Sequence, residues 1–479
     1  MNAHAKARLR WFQFSLRTLL LTVLIVSIAL NWLATRVRHA REDLEAFRTI
    51  TSLGGICCCD YEDYEYLRPG HVKSVLPGLA SPPCWLRAEE RMLGSDVLGF
   101  RQVTEVELEC DTGLNEQNGT HFTAAQCAAA CRRLASFTRL RKLELRGDKV
   151  TDACLEFLDR SPPLAELTVD GNRLTDAGLA HLEGLCDLEI LFLGKSQVTD
   201  DGLCHLKGLT HLRNLYLICS RVTGTGLECV RGQPITILDL GYSGATDAGL
   251  QSVGRLPKLR ILDLAQTAVT DAGLPYLAGL FQLEELDLSQ TAVTDAGLQY
   301  LKGLHRLRSL HLLEVPIKGP GLKALAGSPL LTLDLSDSQV NDDALVHIAN
   351  LKRLSYLALA GTRVTDAGLA HLERLSELDV LHLEKSQVTD AAIRHLKGLA
   401  RLRSLGLAGT PITDAGLEDI ACLRQLNRLD LRDTRVTDAG LVHLNVLTRL
   451  KQLDISSKRI TADGMAKFRR ALPNCQIQN

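Results

Sequence analysis

The sequence carries almost no net charge, few aromatic residues and none of the short motifs that announce catalysis. Basic residues number 55 and acidic ones 56, a formal charge of -1, so no overall field draws the chain to nucleic acid or to an acidic polymer. Aromatics make up 4% while apolar residues reach 46%. The core must therefore be filled by aliphatic side chains, chiefly Leu, which points to a stacked, modular interior. There is no Walker loop, G-x-S-x-G elbow, H-E-x-x-H pair or dinucleotide fingerprint, so an enzyme reading has no residues to rest on and no cofactor is implied. Fourteen cysteines are present, but they are neither dense nor evenly spaced as in a small disulfide scaffold.

Long hydrophobic runs are also absent, with one exception. Between Arg17 and Arg36 lie eighteen uncharged residues, TLLLTVLIVSIALNWLAT, at the short end for crossing a bilayer. Trp11 and Trp32 flank the run as interface anchors do, and Lys6, Arg8, Arg10 and Arg17 crowd its amino-terminal side. Residues 1–17 thus read as a basic segment and 18–35 as a transmembrane signal anchor. A cleavable signal is the rival, since Ser27 and Ala29 form a small-x-small pair, but the apolar run continues through Leu30, Trp32 and Leu33. The basic bias favours a cytoplasmic amino terminus, although Arg36, Arg38 and Arg41 on the far side weaken it. The remainder of the chain would then be periplasmic or otherwise extracytoplasmic, against which the apparently free thiols pull.

What the chain has in abundance is one phrase. VTDACL, LTDAGL, VTDDGL and their variants recur from Val150 to Ile460 in fourteen copies, 24 residues apart except for two steps of 23, before Ala245 and before Val340. Each short step contains a proline, Pro234 or Pro329, in the loop where length variation is absorbed most easily. Within one unit, Leu298, Leu301 and Leu304 form a buried helical face, and Asp295 can accept backbone N–H groups at a helix start. Leu310 and Leu312 then alternate inward with His311 outward, as on a strand. A single unit buries nothing alone; stacked units share a core between parallel strands and helices. A Thr, Ser or Asn column (Asn172, Ser196, Thr267, Thr291, Thr362, Thr410, Thr434) follows each strand, placed to satisfy backbone groups in the turn. Cys154, Cys204 and Cys229 stand where sister units carry Gly, Ala or His and read as free structural thiols. Adjacent Cys57, Cys58 and Cys59 cannot comfortably share one tetrahedral metal, so no metal site is expected.

The strand pattern L-x-x-L-x-L followed by T-x-V-T-D-A-G-L resembles leucine-rich repeats of the cysteine-containing, ribonuclease-inhibitor-like and F-box-associated kind. The resemblance covers about residues 101–479. It implies an α/β leucine-rich-repeat solenoid, a horseshoe or arc with a parallel sheet on the concave face and helices on the convex face. It names no ligand, because fold does not fix function. Residues 36–100 then form a juxtamembrane lead-in and amino-terminal cap, similar to that of many bacterial membrane-anchored repeat proteins. Within it a helix is expected over 36–53, an edge strand over ICCCDYEDYEY and a short helix over PPCWLRAEERML. Residues 101–461 hold the array of about 14 repeats, opening with a strand over VTEVELEC and a helix over FTAAQCAAACRRLASF. Residues 462–479 form the carboxy-terminal cap, with a strand over Cys475 to Ile477.

Two surfaces stand out. The outward strand position runs Glu107, Glu144, Thr168, Phe192, Tyr216, Asp239, Asp263, Asp287, His311, Asp334, Ala358, His382, Gly406, Asp430, Asp454. Strands about 4.8 Å apart would set Asp239, Asp263 and Asp287 side by side, which costs stability unless solvent, a cation or a basic partner compensates. Asp is also a common filler of this solvated position. With Phe192, Tyr216 and Tyr242 alongside, Phe192 to Asp334 is the candidate binding stretch, suited to a basic or amphipathic protein segment. The second surface is a histidine column on the helices, His181, His205, His347, His371, His395 and His443. Helices about 8 to 10 Å apart hold such side chains too far apart for one zinc, so surface hydrogen bonding is expected there. The functional expectation is a membrane-anchored module binding a protein or cell-surface polymer, and no nucleic acid. The alternative is a cytoplasm-facing scaffold or F-box-like recruiting arm, for which the lead-in shows no three-helix pattern. The lone Asn118 sequon decides nothing.

Overall fold

The computed structural model of the chain describes residues 103–110, 123–137, 139–160, 163–456 and 459–478, together with the strand Ile56–Cys59 and the helical residues Ser27, Ile28 and Asn31. Two compact units result, Met1–Lys149 with Cys154–Leu164, and Val150–Ala153 with Ala165–Asn479. Most of the proposed anchor, the two lead-in helices, the sequon and the Cys57–Cys59 side chains lie outside the described residues. Among the described residues no helix is long and apolar enough to cross a membrane.

In the first unit the strand Ile56–Cys59 pairs antiparallel with Val103–Glu109, which in turn runs parallel to Lys142–Arg146. Val106 and Leu108 point inward, 0% and 1% exposed, as the alternation predicts. The helix Ala124–Arg133 begins with a reciprocal capping box between Thr123 and Gln126 and buries Cys127, Ala128, Ala130 and Cys131. Cys110 is bonded to Cys127.

The second unit is a run of parallel strands, each paired to the next with no shift of register from Glu166–Asp170 to Gln476–Gln478. The final strand lies one residue beyond the predicted Cys475–Ile477. One Leu per strand (Leu238, Leu262, Leu286, Leu310) is completely buried, and so are Leu298 and Leu307 of the sample unit. Each such side chain contributes about 1.5–3 kcal/mol when taken out of water. The helices are shorter and tighter than the sequence suggests, many being single 3-10 turns such as Gly297–Leu301, in keeping with leucines three residues apart.

Stacking explains the recurring phrase residue by residue. Its Thr opens the helix: the Thr175, Thr365, Thr389, Thr413 and Thr437 hydroxyls accept from the N–H two residues on. Its Asp reaches past its own helix to the next repeat. Asp271 Oδ1 accepts from Thr294 N at 2.7 Å and Oδ2 from Thr294 Oγ1 at 2.5 Å, and the same two bonds join Asp152 to Thr175, Asp247 to Thr270 and Asp414 to Thr437. Asp295 does accept N–H groups at a helix start, but those of Lys318, Gly319 and Gly321 in the following repeat. Its Gly makes room for the incoming carboxylate, since a Cβ on Gly297 would lie 2.4 Å from Asp271 Oδ1.

This clamp is missing at two joints, where Gly224 and Gly319 replace the Asp. Both take left-handed backbone, φ +96 and +125, which glycine adopts at little cost. Without a carboxylate between them the chains close in directly: Thr246 N donates to the Thr223 carbonyl at 3.1 Å, and a Cβ on Gly319 would meet that of Ala344 at 2.3 Å. These are the two repeats that the sequence shortens by one residue.

Candidate binding face

The register places the predicted column in one row. Phe192 pairs with Tyr216, Tyr216 with Asp239, and so on through Asp263, Asp287 and His311 to Asp334. The Phe192 and Tyr216 rings lie 5.8 Å apart at a tilt of 36°, within the range of favourable aromatic pairs. Tyr242 is 54% exposed and lies within the turn after its strand, itself at positive φ, 58°. Neighbouring repeats put Gln266, Gln290 and Glu314 at the same strained position. An aromatic ring there is held outward at a cost of about 1–3 kcal/mol.

Each carboxylate in the row has a structural task that the sequence did not disclose. Asp239 accepts from Gly241 N, Asp263 from Ala265 N and Asp287 from Ser289 N, each at 2.8 Å, and Asp334 from Ser336 N at 2.9 Å. They close the turn after their strands, which is the physical basis of Asp as a filler here. One oxygen of each is thereby used, and among the described residues none of the four forms an ion pair. Burial, and then the Asp239 and Asp287 charges, push the Asp263 carboxyl up to about 6, against the pull of the Ala265 N–H and of His311. Burial and Asp287 also raise Asp239. His311 bonds Ser309 Oγ through Nε2 at 2.8 Å.

Further along the same face the carboxylates are neutralised internally. Asp430 is held by Arg432 at 2.5 Å, Asp454 by Arg428 at 3.2 Å and by Gln452 at 2.9 Å, and Glu384 by His382 at 2.7 Å. The Glu384 contact, with burial opposing it, raises the His382 ring above its ordinary value. An open groove of about 930 Å³ on the edge before these strands is lined by Arg353, Glu377, Asp379, Arg401 and Arg403. There too the charges pair with one another, Arg401 with Glu377 and Arg403 with Asp379.

The other expectations divide. The turn column works as predicted at Thr267, Thr291, Thr362, Thr410 and Thr434, whose hydroxyls donate to the carbonyl three residues back. Asn172 is exposed instead, and the Ser196 hydroxyl is buried without a partner. The histidine column makes bonds between repeats, His205 to Glu183 and His395 to Glu373, each 2.6 Å. Cys204 and Cys229 are not free thiols: they are joined to each other, because the 25-residue offset brings adjacent helical turns together. Cys154 remains a thiol, but it meets Cys127 and Cys131. The C-x3-C spacing of Cys127 and Cys131 on one helix face was the available signal for that cluster.

A family profile described as Leucine Rich repeat matches residues 281–302. No curated protein matches the chain in sequence. Among solved structures, a leucine-rich-repeat protein of Leptospira interrogans is 22% identical with a TM-score of 0.55, over 72% of this chain and 86% of that one. An internalin of Listeria monocytogenes is 19% identical with a TM-score of 0.48, over 77% and 94%. The fold is a leucine-rich-repeat solenoid. At 22% identity the likeness to the Leptospira structure shows the fold and nothing of the ligand.

Proposed function

We propose that the chain is a membrane-anchored interaction protein whose sheet face from Phe192 to Asp334 binds a protein partner through a basic or amphipathic segment. The observation that carries this reading is the row Asp239, Asp263, Asp287 and Asp334, half-buried and in no ion pair among the described residues, whereas Asp430, Asp454 and Glu384 further along are paired. A basic segment would relieve the repulsion, and the Phe192–Tyr216 pair with Tyr242 offers an apolar anchor beside it. The apolar run 18–35 supplies the tether and the basic residues before it favour an extracytoplasmic array. The Cys204–Cys229 bond supports an oxidising side. A cell-surface polymer is a weaker candidate because neutral sugars would not answer the unpaired charge.

Protease protection of residues after Arg36 in sealed cells or vesicles tests the side: digestion from outside is expected, and a protected array overturns the exported reading. Binding of a lysine-rich amphipathic peptide to the full chain in a lipid nanodisc tests the face. Phe192→Ala with Tyr216→Ala should weaken it about tenfold or more. Unchanged affinity removes the aromatic anchor from the reading.

A further inference from the structure

Four cysteine sulfurs converge in the first unit from three separate elements. Cys110 follows the strand Val103–Glu109, Cys127 and Cys131 lie one turn apart on the helix Ala124–Arg133, and Cys154 closes the short turn Asp152–Cys154. Their exposures are 3%, 1%, 0% and 0%. The sulfurs of Cys127, Cys131 and Cys154 all lie within 4.8 Å of one another, with Cys154 Sγ 3.5 Å from Cys127 Sγ, and Cys110 is bonded to Cys127. Zinc–thiolate bonds of about 2.3 Å set the sulfurs of a tetrahedral site about 3.8 Å apart, inside the spread of these three.

We propose that in the reduced chain Cys110, Cys127, Cys131 and Cys154 bind a zinc ion as a closed tetrathiolate centre, and that the Cys110–Cys127 disulfide is the oxidised alternative of the same site. The donor set is soft and uniform, with no carboxylate or imidazole among it, which selects zinc over magnesium or calcium. Two of the four ligands are preset by one helix, because residues four apart share a face. The four sulfurs are almost wholly out of water, where an uncompensated thiolate is costly. A divalent cation is what makes thiolates stable in such a dry site. The cation would tie the residue after the strand Val103–Glu109 to the first helix and to Cys154 within the first unit.

The two states interconvert with balanced chemistry. Two equivalents of a low-molecular-weight thiol reduce the Cys110–Cys127 bond, their sulfurs joining as a disulfide while the chain gains two thiols; zinc then displaces up to about four protons from the cluster. If the array is exported as proposed, a newly made chain with reduced thiols would hold the metal, and exchange with a disulfide oxidant, which is itself reduced to two thiols, would re-form Cys110–Cys127 and release the zinc. The cysteines elsewhere do not form such a group: among the described residues no other cluster of three is close enough.

The test uses the full chain purified with reductant in the absence of oxygen. Elemental analysis should find about one zinc per chain, and replacement by cobalt(II) should give the intense visible absorption of a tetrahedral thiolate site. Cys131→Ser with Cys154→Ser should abolish both signals, whereas Cys204→Ser with Cys229→Ser should leave both intact. Metal retained by the first variant overturns the proposal. So does a wild-type chain that is fully reduced by thiol titration yet binds no zinc and gives no thiolate–cobalt spectrum, a result that does not depend on whether any variant folds.

Discussion

Two stretches of one sheet face, built from the same repeat, treat their carboxylates in opposite ways. From Asp239 to Asp334 each aspartate of the row closes its own turn and forms no ion pair among the described residues, with only the His311 ring acting on Asp263; from His382 to Asp454 the acids Glu384, Asp430 and Asp454 are paired with His382, Arg432 or Arg428, and Gln452 also holds Asp454. Asp430 and Asp454 are correspondingly more deeply buried, 5% and 2% exposed, since a paired charge tolerates the loss of water. The unpaired stretch begins and ends on the strands of the two short repeats, whose Gly224 and Gly319 interrupt the aspartate clamp. The lesson is that an acidic position in a repeat is not evidence of a ligand. What distinguishes a candidate surface is a carboxylate whose structural partner uses one oxygen and whose charge nothing answers.

This contrast can be broken or sharpened by substitution. The largest expected effect is in the paired stretch. Arg428→Ala should cost about 2 kcal/mol in chemical unfolding, below the usual loss for a broken buried pair because Gln452 still donates to Asp454 and Arg428 itself is half exposed. A comparable loss, about 2 kcal/mol, is expected of Asp271→Ala, which strips a clamp of two charge-assisted bonds partly open to water; a neutral outcome would show that apolar stacking alone holds the joint. In the unpaired stretch the sign reverses with pH. Asp263 titrates near 6 in the folded chain and near 4 when unfolded, so the folded state binds the proton more tightly and stability rises as pH falls from about 6 towards 4. After allowance for its solvent exposure the gain is about 1 kcal/mol. Melting temperatures at pH 7 and pH 5 should therefore differ less in Asp263→Asn than in the natural chain; an unaltered pH dependence would place the cause elsewhere. The smallest effect is at Tyr242, where Tyr242→Gly should relieve backbone strain and raise stability by somewhat under about 1 kcal/mol while weakening peptide binding.

Much of this architecture was legible in the sequence because a period of 24 residues repeats too often to be accidental, and inward leucines can have only one meaning once strands are parallel. The row Phe192 to Asp334 followed from that register. What could not be read was where short polar side chains spend their hydrogen bonds. Asp271 looks locally like a helix cap, yet its partner Thr294 is 23 residues away and becomes a neighbour only through stacking. The same holds for Cys204 and Cys229, and for the pairing of Asp454 with Arg428. Helix type was misjudged for a related reason: a Leu spacing of three suits an α-helix and a 3-10 turn alike, and the tight repeat length decides for the latter.

The account turns on the unpaired row being the part of the face that binds. The direct measurement is the affinity of the full chain for a lysine-rich amphipathic peptide, compared between Asp263→Asn with Asp287→Asn and Asp430→Asn with Asp454→Asn. Amide replacements keep an acceptor for the turn N–H and remove the charge. The first pair should weaken binding about tenfold and reduce its salt dependence, while the second should leave affinity unchanged; equal losses from both pairs, or none from the first, would contradict it.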